Sequence, residues 1–163
     1  QRLIGGPHPY LERLAVEARL SAGDLRAAVQ RGRAAVKQFG DSRALAREYG
    51  RALVAAGDGA EAVAYLRETT GLIRSDPVLW RLRAEAHGMQ DQRTEAHRAA
   101  AEEFALVGAW PAAIDQLRRA QRARDADYFV LSMIDARLRE LESIYRIEQE
   151  DLRRSGRSDR SGR

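Results

Sequence analysis

The chain has 163 residues, enough for one compact domain or a short repeat array. Its 29 alanines and 27 arginines stand against one lysine, ten aromatics, four prolines and no cysteine; this argues against a β-sandwich or barrel and excludes disulfides, thiolate zinc sites and cysteine catalysis. The net charge of +4 sits beyond residue 152, where five arginines face one aspartate, leaving 23 basic and 23 acidic side chains before it. The excess therefore describes a tail and not a basic nucleic-acid face, and no nucleic-acid partner is expected.

Residues 1–8 read as an irregular lead-in. Apolar periodicity and turn residues then predict helices over 9–21, 24–38, 42–55, 58–72, 76–88, 91–107, 110–123 and 126–152. Residues 9–152 form the folded unit, and 153–163 form an Arg/Ser/Gly tail expected to be disordered because it cannot bury a core. No apolar run approaches the ~18 residues of a membrane span.

The turns carry the organisation. Gly23-Asp24 and Gly57-Asp58 lie 34 residues apart, each followed four residues after the Asp by a small residue, Ala28 or Ala62. Glycine can adopt the positive φ that closes a helix, and the aspartate can cap the next one, with Glu61 completing a capping box with Asp58. A third unit begins at Pro77, with Asp76 as N-cap, Trp80 and Ala84 in its first helix and Ala96 in its second; Asp91 replaces the turn glycine. Gly108 follows only 17 residues after Asp91, so helix 91–107 is shared between a third and a fourth unit. This spacing resembles the tetratricopeptide repeat (TPR). The expected architecture is an all-α, TPR-like solenoid of about eight helices, in roughly four helix–turn–helix units. The last helix carries Leu131, Ile134, Leu138, Leu141 and Tyr145 at alternating steps of 3 and 4. Too short for a strong coiled-coil signal, that seam reads as a cap over the open end of the array.

Catalytic motifs are absent: there is no H-E-x-x-H, no pair of histidines at i, i+4 and no G-x-S-x-G elbow. His87 takes a packing position in the repeat, which favours a core or rim role over metal binding. No cofactor is expected in this chain. Binding is the expected work of a repeat array, whose first helices line a groove. The fifth repeat position reads Arg13, Arg47, Arg81 and Arg98; the ninth reads Glu17, Arg51, Glu85 and Glu102. These residues form a candidate arginine ladder for carboxylates or peptide carbonyls of a protein or peptide partner. The competing reading is that the arginines pair with Glu17, Glu48 and Glu85 and solvate the face.

Two segments carry a closer resemblance. RTEAHRAAAEEFALVGAWPAAIDQL (93–117) and DYFVLSMIDARLRELE (127–142) are similar to the C-terminal TPR region of periplasmic zinc metallopeptidases of the BepA type (β-barrel assembly-enhancing proteases). The match rests on residues such as Ala96, His97, Glu102, Gly108, Ile114, Asp135 and Arg137. The resemblance implies a periplasmic location and a role in recognising substrates or β-barrel assembly components of the outer membrane. It also implies an attached peptidase domain that alone carries the zinc and the hydrolysis. A first residue other than methionine (Gln1) agrees with an excised C-terminal domain. A free-standing TPR adaptor with no enzymatic domain is the alternative.

Overall fold

The computed structural model describes residues 8–161, with side chains described as far as Ser155. The described residues form eight helices and no strand: α1 Pro9–Ser21, α2 Leu25–Gln38, α3 Arg43–Ala56, α4 Gly59–Leu72, α5 Pro77–Met89, α6 Arg93–Leu106, α7 Trp110–Arg122 and α8 Tyr128–Ser161. The first seven lie within two residues of their expected ends.

One turn recurs four times. Gly23, Gly57, Asp91 and Gly108 have φ of 76°, 80°, 56° and 73°. At each, the residue itself donates its N–H to a carbonyl three residues back, and the following residue donates five residues back, as in Asp58 N–H to Leu53 O at 3.1 Å. This is the Schellman closure, which satisfies helix-end carbonyls and needs a left-handed residue. Asp91 thus holds the glycine geometry without being glycine.

The caps follow the sequence in part. Asp24 accepts from the N–H of Ala27, and Asp76 from those of Val78 and Leu79. The expected capping box at α4 does not form, because Asp58 makes no side-chain cap bond and Glu61 is taken by Arg33 and Tyr49 instead. The start of α6 is capped from a distance. Asp125, in the loop after α7, accepts from the Thr94 N–H at 3.1 Å and from its hydroxyl. Burial pushes the Asp125 carboxyl up, but the Thr94 hydrogen bonds outweigh this and hold it below its usual value.

The first helices of successive units, α1, α3 and α5, pack side by side, and α6 packs against both α5 and α7, which realises the shared helix. One core joins Val16, Ala28, Tyr49, Ala62, Leu66 and Leu82 across α1 to α5. Close approach depends on small residues: a Cβ at Gly32 would lie 2.7 Å from Tyr49 Cδ2, and one at Gly50 3.0 Å from Leu66 Cδ2. Ala28 and Ala62 are fully buried, whereas Ala84 and Ala96 of the degenerate third unit are half-buried. A second core joins α6, α7 and α8 around Ala101, Leu117, Ile134 and Leu141, with Leu131, Leu138 and Tyr145 packed against it. The α8 seam is therefore spent inside the chain, as a cap.

α8 corrects the expected tail. Its backbone is helical to Ser161, where composition predicts disorder from residue 153; residues 162 and 163, like residues 1–7 of the expected lead-in, lie outside the described residues. Once packing has nucleated a helix, each added residue costs little, and arginine is a good helix former. Arg154 also lies 4.0 Å from Glu150 and 3.8 Å from Asp151 on the preceding turn.

Candidate functional site

The eight ladder residues occupy three settings. On α1 and α3 they form a chain of charge. Arg13 bonds Glu17 at 2.7 Å and lies 4.0 Å from Glu48, which is buried and accepts from Arg51 at 2.8 Å. On α5, Arg81 and Glu85 are 3.9 Å apart, with side chains 49% and 48% exposed. Glu103 of α6 shares their field: burial pushes its carboxyl up, Arg81 draws it down and Glu85 adds to the rise. These pairings with Glu17, Glu48 and Glu85 are those of the solvated-face reading. They leave Glu17, Arg51, Arg81 and Glu85 about half-exposed on three adjacent helices.

Arg47 is differently placed. Its Nε donates to Oδ2 of Asp76 at 2.8 Å, and Asp76 is wholly buried. Arg47 thus braces α3 against the start of α5. Repeat spacing gives its position on α3 but not this partner, which is contributed by the loop before α5.

Arg98 and Glu102 do not extend the α1/α3/α5 row. Arg98 pairs with Glu95 on its own helix. Glu102 receives a two-point bond from Arg137 of α8, Nε at 2.9 Å and Nη2 at 2.6 Å. Burial lowers the Arg137 pKa, while the bonds to Glu102 and Glu140 outweigh it and hold it above normal. Both ladder residues line a cavity of about 200 Å³ between α5, α6 and α8, which Trp80, Arg83 and Met133 also border. Arg83 lies over the Trp80 ring at 5.2 Å. Sequence reasoning missed Arg83, Met133 and Arg137 as neighbours of this cavity. α8 stands outside the 34-residue period, so spacing gives no register between it and α6.

His8 caps α1, accepting from the Tyr10 N–H, and the other two histidines are hydrogen-bonded to glutamines. His87 is buried; its Nδ1 lies 2.6 Å from Gln92 Oε1, and Arg83 Nε donates to its Nε2 at 3.3 Å. The arrangement requires a neutral ring with the proton on Nδ1. Burial lowers its pKa, against the opposing hydrogen bond from Nδ1–H to Gln92 Oε1. His97 Nδ1 meets Gln116 at 2.8 Å. Among the described residues no three His, Cys, Asp or Glu side chains are grouped to hold a metal ion. No helix among them is long and apolar enough to cross a membrane.

The fold and its exposed charged face define an all-helical, TPR-like α-solenoid. Residues 19–86 match the tetratricopeptide repeat family, from the end of α1 to the end of α5. No curated protein matches the chain. The matched repeats suggest a role in protein–protein interaction.

Proposed function

We propose that the chain is a non-catalytic recognition domain that presents its α1/α3/α5 face to a protein or peptide. We further propose that it serves a periplasmic zinc metallopeptidase of outer-membrane protein quality control. The first part is carried by one observation: Glu17, Arg51, Arg81 and Glu85 stand half-exposed on three first helices packed side by side. Stacked repeats use this kind of extended surface for binding, and arginine presents a rigid fork to carboxylates and carbonyls. The second part rests on the resemblance of residues 93–117 and 127–142. In this reading the zinc and the hydrolysis belong to the peptidase domain, and the chain contributes recognition.

The test is affinity capture from the envelope fraction of the source cells, with bound proteins identified by mass spectrometry. The reading expects a zinc peptidase or a β-barrel assembly component on the wild-type chain, lost from R51E/R81E of unchanged helicity. Undiminished capture by the variant would refute the face. A captured set holding neither class of protein would refute the peptidase link and leave the free-standing adaptor.

A further inference from the structure

The cavity between α5, α6 and α8 has a floor and walls of opposite character. Ala99, Leu117 and Ile134 at its base are buried. Arg83, Arg98 and Arg137 reach it from three helices, against two carboxylates, Glu95 and Glu102. Both carboxylates are committed: Glu102 to Arg137 at two points and Glu95 to Arg98. Arg98 spends one guanidinium nitrogen on Glu95, and Arg83 comes no closer to that carboxylate than 3.7 Å. Within the lining three arginines face two carboxylates. Arg137 also donates to Glu140 at 2.7 Å, outside the cavity, and Arg83 spends Nε on His87 and Nη1 on Thr70. The unspent N–H donors are therefore those of Arg98 and of Arg83 Nη2.

The mouth is apolar. Met133, 44% exposed, and Trp80 border the cavity; Phe129, 71% exposed, lies outside the lining, one turn before Met133 on α8. Aromatic, methionine and arginine side chains together are the composition of an interface core. At about 200 Å³ the cavity falls below the ~300–1,000 Å³ usual for a small-molecule site; it has room for one large side chain.

We propose that this cavity is a second recognition site, specific for an acidic peptide segment that inserts a single large apolar side chain. The apolar anchor fills the base between α6 and α8, and flanking carboxylates meet Arg98 and Arg83. The inference rests on the protein-recognition reading but not on the α1/α3/α5 face.

The probe is a fluorescein-labelled nonapeptide with a central phenylalanine between acidic residues, followed by fluorescence polarisation on the full chain at physiological salt. Controls are the same peptide with a central glycine and one with lysines in place of the acids. Binding is expected for the acidic phenylalanine peptide and about tenfold weaker for either control. Position 133 separates charge from structure, because M133E and M133K place equally polar groups at the same exposed site. M133E should weaken binding about tenfold, M133K should preserve it, and R51E/R81E should leave it intact. Absence of binding, indifference to the central phenylalanine, or equal effects of M133E and M133K would overturn the proposal. Loss in R51E/R81E with retention in M133E would move the ligand to the α1/α3/α5 face, refuting the second site while sparing the first.

Discussion

The Asp76 carboxylate bridges two helices: Oδ2 accepts from Arg47 of α3 at 2.8 Å, and Oδ1 accepts from the N–H groups of Val78 and Leu79 at the head of α5. Arg47 is the hydrogen-bonded one of two cations on this buried carboxylate, Arg43 standing off at 3.8 Å, so Arg47→Ala should destabilise the chain by about 1–3 kcal/mol. Arg47→Glu should cost more, by placing like charges together. Arg81→Ala breaks an exposed pair with Glu85 and should cost under ~1 kcal/mol. Urea unfolding of the three variants checks this order, and an Arg47→Ala midpoint equal to wild type would refute the bracing role.

Asp91 holds a left-handed turn where its counterparts at 23 and 57 are glycine. Asp91→Gly should remove a backbone strain of about 0.5–1 kcal/mol and raise Tm by a few degrees. Gly57→Ala, at φ 80°, should lower it. Calorimetry of both variants measures the pair; shifts of the same sign would contradict the shared turn geometry.

Tyr49, Glu61 and Arg33 form one network joining α2, α3 and α4. The phenol donates to Glu61 at 2.6 Å, and Arg33 donates twice to the same carboxylate. The Tyr49 hydrogen bond is the main influence lowering the Glu61 pKa, against burial. Burial and Glu61 raise Tyr49 to about 12. The depressed carboxyl adds stability that is present above its ordinary value of 4.5 and lost as pH falls through the folded value. The raised phenol adds stability that is present below 10.0 and lost as pH rises toward 12. Tyr49→Phe should cost about 1–2 kcal/mol at pH 7 and raise the Glu61 pKa, which carboxylate NMR titration reads directly. An unmoved Glu61 would exclude the network.

His87 gives a separate dependence near neutrality. Burial favours its neutral ring, so the folded pKa lies below the ordinary value of 6.5. A depressed histidine contributes stability that is full above the unfolded pKa and is lost as pH falls from there through the folded value. Urea midpoints should therefore drop between pH 7.5 and 5.5, and His87→Gln should flatten that drop. An equal drop in the variant would assign it to other groups.

What was legible in the sequence follows from what is local. The turns at 23, 57, 91 and 108 were readable because a left-handed helix end selects residues at fixed spacing. The α8 seam was readable because apolar periodicity reports the buried face directly. Partners far apart in sequence were not. Asp76 reads as a cap for α5, and nothing local says that Arg47 completes it. Asp125 reads as a loop acid, although it caps α6 from 31 residues away. Arg98 and Glu102 sit at ladder positions by counting, yet both line a different cavity, where Arg137 of α8 binds Glu102. The helical continuation of residues 153–161 ran against composition because an attached helix propagates where an isolated segment would not.

The central claim is that partners meet the chain on the α1/α3/α5 face, and site-directed photo-crosslinking tests it most directly. A benzophenone amino acid placed at Glu17, Arg51 or Arg81 should crosslink a common partner. The same group at Arg26 or Gln30, exposed on α2, should not. Crosslinks confined to α2, or equal at all five positions, would contradict the account.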